Sequence, residues 1–91
     1  MISKLEDSEW YLDSGCSRHM TGNSHLLKDV SKYNGPKISF GDNSKGKTVG
    51  NGKIIHDNLT INDVLIVENL HYNLISISQL CDIWHVVEFH K

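Results

Sequence analysis

The side chains best suited to chemistry stand close together near the start of the chain: Asp13 in Asp13-Ser14-Gly15, then Cys16 and His19 in Cys16-Ser17-Arg18-His19. Asp13 follows the strand-like stretch Glu9-Trp10-Tyr11-Leu12 and enters a glycine turn, which holds its carboxylate at a strand end and not in a solvated loop. A carboxylate so placed suits general acid–base work on a polar bond. Cys16 with His19 offers on paper a thiol nucleophile and its base, but two residues three apart on one strand point to opposite faces. The same CxxH spacing is half of a zinc site, yet zinc takes four ligands and no second CxxC or HxxxH pair follows. No metal or other cofactor is therefore expected. His25, His56, His71, His85 and His90 are scattered and suggest no joint role.

A carboxylate at a strand end needs a β framework, and the chain reads as one. Short β-branched or aromatic runs alternate with Gly, Asn and Asp at the spacing of an all-β domain. Residues 9–12 lead into the Asp13 turn and residues 16–21 leave it, with Gly22-Asn23 ending that leg. Ser24 is placed to cap a short helical turn through Leu27. Lys37-Ile38-Ser39-Phe40 reads as a strand, residues 41–46 as a polar reversal, and residues 47–55 as an extended segment broken by Gly50 and Gly52. Glycines inside a strand pattern mark a bend or the close approach of another backbone, which makes Val49-Gly50-Asn51-Gly52 a candidate mobile arm.

Residues 58–61 and 63–67 read as two strands joined around Asn62, the second apolar enough for the core. Leu74, Ile77, Leu80 and Cys81 recur at helical spacing behind Asn73, predicting a capped helix over 74–81. Residues 85–89 close the chain as a strand. The expected architecture is a single domain over residues 1–91, with residues 1–8 a flexible lead-in.

Ninety-one residues can build one core. A net charge of -2 supplies no field to hold nucleic acid or an anionic membrane surface. The longest fully apolar run, Val64-Leu65-Ile66-Val67, falls far short of the roughly 20 residues of a membrane helix. Glu6 and Asp7 interrupt the apolar core a signal peptide would need, so an intracellular, cytoplasmic location is expected. Cys16 and Cys81 cannot make a disulfide framework and read as reduced, small and buried.

The stretch from Trp10 to Gly22, Trp-Tyr-Leu-Asp-Ser-Gly-Cys-Ser-Arg-His-Met-Thr-Gly, resembles the protease signature of copia-type retrotransposon polyproteins. Four further elements follow in the order that family shows them: Phe40-Gly41-Asp42-Asn43, Val49-Gly50-Asn51-Gly52, Asp63-Val64-Leu65-Ile66-Val67, and Asn73-Leu74-Ile75-Ser76-Ile77-Ser78-Gln79-Leu80. The resemblance covers nearly everything from Trp10 to Phe89. In one place the chain sides with copia-type sequences against retropepsins in general: Ser76 follows Leu74-Ile75 where retropepsins carry a glycine.

The resemblance implies a small closed retropepsin-like β-barrel with one short C-terminal helix, and an aspartic endopeptidase that processes its own gag-pol polyprotein, within a virus-like particle. Asp13 would be catalytic, with Ser14, Gly15 and Cys16 completing the active-site loop. Ser14 would hydrogen-bond across a subunit interface, and Gly15 would let its backbone approach the Asp13 carboxylate. Val49, Gly50, Asn51 and Gly52 would form a flap holding substrate carbonyls, and Leu74 and Ile75 would line the substrate pocket. Arg18, His19 and Met20 match the pattern and are expected to support the loop.

Hydrolysis by carboxylates takes two of them, and one short chain with one Asp-Ser-Gly supplies one, so a homodimer about a two-fold axis is expected. Residues 85–89 are the candidate strand across that axis. The alternatives are a non-catalytic retropepsin-like β-barrel, decayed, domesticated or monomeric, and a peptide-binding module that clamps without cutting.

Overall fold

The computed structural model describes residues 2–4, 10–40 and 44–80. Among the described residues eight strands are formed: β1 (Ile2–Lys4), β2 (Trp10–Asp13), β3 (Met20–Thr21), β4 (Lys28–Lys32), β5 (Lys37–Phe40), β6 (Ser44–His56), β7 (Leu59–Val67) and β8 (Asn73–Ser76). Hydrogen bonding orders them β1-β2-β8-β3-β7-β6-β4, with β5 on β6. This sheet has two ends, β1 and β4, so the described residues form an open sheet and not the closed barrel expected from the sequence. Two pairings, β2 with β8 and β3 with β7, are parallel, and the rest are antiparallel.

The unbroken apolar run of β7 follows from burial on both faces. Ile61, Val64 and Ile66 join Trp10, Leu27 and Ile75 in one cluster. Leu65 and Val67 join Met20, Leu70 and Leu74 in a second. The break expected at Asn62 is a bulge inside one strand. Gly52 pairs with Val64 and Ile54 with Ile61, so β7 carries an extra residue there, and Asp63 takes a φ of 59°.

Two other expectations are corrected. Residues 74–76 are strand and not helix, and the helical residues begin at 77 and are described to 80. Leu74 and Ile75 are both buried because the two faces of β8 meet different clusters, which looks in sequence like the start of a helical stripe. Ser76, not Asn73, caps the helix, its Oγ accepting from the Gln79 N–H at 3.0 Å. Similarly, residues 24–26 form a 3-10 turn capped by Asn23 and not by Ser24.

The lead-in also contributes structure, since Ile2–Lys4 runs antiparallel to β2. Cys81, the strand expected at 85–89, and Gly41-Asp42-Asn43 lie outside the described residues. No helix among those described is long and apolar enough to cross a membrane.

Candidate functional site

Asp13 ends β2, which runs parallel to β8 with Tyr11 opposite Leu74 and Asp13 opposite Ser76. Alternation along β2 sends Trp10 and Leu12 to the cluster that holds Ile75. Tyr11 packs with Leu74 on the other side, and Asp13, two residues on, shares that face.

On this face lies an open groove of about 1110 Å³. Asp13 stands in its wall, Tyr11, Met20, Leu70 and Leu74 supply apolar lining, and β5 and the start of β6 border it through Ile38, Phe40, Ser44 and Lys45. Arg18 and His71 add basic or titratable groups to its lining. A groove this large and open fits an extended chain better than a compact small molecule, whose pockets run to roughly 300–1,000 Å³.

Backbone geometry fixes the carboxylate. The Gly15 N–H donates to Asp13 Oδ1 at 2.7 Å, a short charge-assisted bond closing the turn. A Cβ at position 15 would sit 3.2 Å from that oxygen, a tight contact that the carboxylate would have to relieve by a few tenths of an ångström. Ser14 and Gly15 are exposed at the tip, and Cys16 is half-buried with its thiol 3.6 Å from the Asp13 carbonyl. Burial and then the Asp13 charge push the Cys16 thiol above its usual range, outweighing opposing hydrogen bonds. It stays a thiol at neutral pH.

Beneath the turn is a buried polar network that the sequence reading did not assign to the site. Ser76 Oγ donates to the Cys16 carbonyl at 2.7 Å. The Ser76 N–H donates to His19 Nδ1 at 2.9 Å, and the His19 N–H donates to Gln79 Oε1 at 2.9 Å. His19 is fully buried, and its pKa is lowered to about 4, by burial first and by Arg18 second, against a smaller opposite pull from Asp63. A neutral, enclosed imidazole and a protonated thiol, each bonded to a different group, do not form the thiolate–imidazolium pair that a cysteine nucleophile needs. The legible signal for the network was Ser76-x-x-Gln79, the spacing of a capping box, though here the Gln side chain serves His19.

The fold brings Asp13, Gly15, Cys16 and Leu74 to one groove, with Ser14 at the adjoining tip. It does not bring Ile75 or the 49–52 segment. Ile75 is fully buried in the opposite cluster. Val49 to Gly52 lies in the middle of β6, with β4 paired on one edge and β7 on the other, so it is no free arm. A Cβ at Gly50 or Gly52 would lie 2.9 Å from the carbonyl oxygen of Ser31 or Lys28 in β4. Close backbone approach, and not a hinge, is the reason for these glycines.

A mostly β domain presenting a strand-end carboxylate beside an open, largely apolar groove is the class that fold and site define. The chain belongs to the family described as Pol polyprotein, beta-barrel domain, whose family model matches residues 10–90. It is 34% identical over 93 residues to the retrovirus-related Pol polyprotein from transposon RE2 of Arabidopsis thaliana. That alignment covers 96% of this chain but 6% of the relative's length. No solved structure matches the chain.

Proposed function

We propose that this domain is one subunit of an aspartic endopeptidase, active as a homodimer, that cuts the polyprotein of a copia-type retrotransposon. The observation that supports this best is Asp13 itself, held by the Gly15 N–H on the groove side of a strand paired with β8. Among the groove-lining residues described, Asp13 is the only Asp or Glu. The second carboxylate then comes from a second copy across a two-fold axis.

One carboxylate takes a proton from water as the water oxygen attacks the scissile carbonyl carbon. The other, protonated, gives its proton to the carbonyl oxygen. The C–N bond then breaks as a proton passes to the leaving nitrogen. That two such carboxylates hold one proton between them is known behaviour of aspartic proteases as a class and is carried over here. The substrate is an extended polypeptide whose apolar side chains pack on Tyr11, Phe40 and Leu74. β5 and the start of β6, through Ile38, Phe40, Ser44 and Lys45 and not residues 49–52, are the part of this chain that contacts it from the far wall. Ser14 serves at the interface beneath the paired carboxylates.

The test is cleavage of a peptide library at about pH 5–6, near where a shared-proton pair operates. Wild type is compared with Asp13→Asn, with molar mass recorded in the same buffer. Cleavage by wild type only, with specific activity falling on dilution, is the expected result. A dimer that cuts nothing would overturn the catalytic reading in favour of a non-catalytic, peptide-binding β domain. Equal cutting by the Asn variant would assign the activity to another group.

A further inference from the structure

We infer that His19 is a positioning residue for Asp13, its ring and backbone fixing the carboxylate-bearing loop to the β8–helix junction through Ser76 and Gln79. This rests on the protease reading for its catalytic consequence, but the geometry stands apart from it. The loop from Asp13 to His19 is tied at its middle and at its end to two residues, Ser76 and Gln79. At its middle, the Cys16 carbonyl accepts from Ser76 Oγ. At its end, His19 Nδ1 accepts from the Ser76 N–H and the His19 N–H donates to Gln79 Oε1. The same Ser76 Oγ accepts from the Gln79 N–H, so one hydroxyl joins the helix cap to the active loop. Asp13 and Ser76 are also strand partners, which makes Ser76 the point from which the carboxylate's place is set. The His19 carbonyl is held in turn by the Leu65 N–H of β7.

An imidazole is a costly way to fill this space. With Nδ1 accepting, the ring proton is on Nε2, which is enclosed and has no partner among the described residues. An apolar side chain of similar size would avoid that orphaned donor. It would also leave the buried Ser76 N–H without an acceptor, and supplying that acceptor is what the imidazole does. Among the described residues, the charged groups acting on the ring are Arg18 from its own loop and Asp63 from β7, while β8 and the described helical residues bond to His19 through the neutral Ser76 and Gln79. The ring stays neutral down to about pH 4, so its lone pair persists across the acidic range in which a carboxylate pair works. Protonated, Nδ1 would turn a second donor toward the Ser76 N–H.

Three variants of the full chain test this: His19→Asn, whose Oδ1 can take the place of Nδ1 without titrating, His19→Leu, which has no acceptor, and Ser76→Ala, which keeps the N–H but loses the hydroxyl. The readouts are kcat and KM from pH 3.5 to 7, with hydrogen exchange of the Gly15 amide. We expect His19→Leu and Ser76→Ala to lower kcat by at least about 10-fold, with KM within about 3-fold, as misplacement of a reacting group does. Gly15 exchange should accelerate in both. His19→Asn should restore kcat to within about 3-fold and extend activity further into acid. Ser76→Ala with wild-type kcat and Gly15 exchange would overturn the positioning role, as would an Asn variant that is folded but no better than Leu. If wild type cuts no peptide, the protease reading fails. The exchange arm then decides the positioning claim, and unchanged Gly15 exchange in the variants sinks it.

Discussion

A single backbone N–H decides how Asp13 presents its carboxylate, and this makes position 15 sensitive to one methyl group. In Gly15→Ala the new Cβ sits 3.2 Å from Asp13 Oδ1, so the carboxylate must rotate off the Gly15 N–H by a few tenths of an ångström or more. We expect cleavage to fall by about 10- to 100-fold while the urea midpoint moves little, because the turn is exposed and no packing is lost. Wild-type kcat/KM in a folded Ala variant would mean that this hydrogen bond does not set the reactive geometry. His19 carries a different prediction, one about stability. Its folded pKa of about 4 lies below the ordinary 6.5, so as pH falls the unfolded chain takes up the proton first. The stability contributed by the neutral ring is present above about pH 6.5, declines toward about pH 4 and is flat below that. The difference is about 3 kcal/mol between the two ends of that window. Urea denaturation at pH 7 and pH 4 should show a smaller difference in His19→Asn than in wild type, and equal differences would show that the buried ring is not what titrates.

At the level of elements, the sequence was most legible where one physical demand acted on each residue. Asp13-Ser14-Gly15 after an apolar strand, Lys37–Phe40 and the core strand at 63–67 were readable because the apolar or alternating run and the turn residues bounding it agreed. Reading failed where two demands share one signature. The Leu74-Ile75 pair looks like the start of a helical stripe, but the parallel pairing of β8 with β2 buries both residues as strand. Gly50 and Gly52 look like an arm, but each makes room for a carbonyl of β4. The hydroxyl–imidazole network was legible only in its pieces, the Ser76-x-x-Gln79 spacing and His19 beside the loop, since its partners stand 57 to 60 residues apart and only the fold joins them. The glycine reading has its own test. Gly52→Ala pushes a Cβ to 2.9 Å from the Lys28 carbonyl oxygen and 3.0 Å from Leu27 Cβ, so we expect a loss of about 1–3 kcal/mol in urea unfolding with KM unchanged. A flap glycine would behave the opposite way, with KM changed and stability kept.

Across the whole molecule, the net charge of -2 conceals an uneven distribution that bears on which peptides the groove accepts. Its described lining holds Arg18 and Lys45, with His71 beside them, against the single acid Asp13. In the proposed dimer, a carboxylate sharing a proton with its symmetry mate would not cancel two fixed cations per subunit, so the rim is expected to favour substrates with acidic residues flanking the apolar ones. Each such contact is solvent-exposed and worth at most about 1 kcal/mol, which limits the preference to roughly 5-fold per charge. Screening over about 8–10 Å at ordinary ionic strength weakens it further. The expected outcome is a kcat/KM ratio of about 5- to 10-fold for Glu-flanked over Lys-flanked peptides in low salt, shrinking toward unity in 1 M NaCl. Replacing both cations, in Arg18→Glu with Lys45→Glu, should reverse the ratio without changing which apolar side chain is preferred, because Tyr11, Phe40 and Leu74 are untouched. A salt-independent ratio, or one that survives the double reversal, would show that flanking selectivity arises in the second subunit's contribution to the groove and not at this rim.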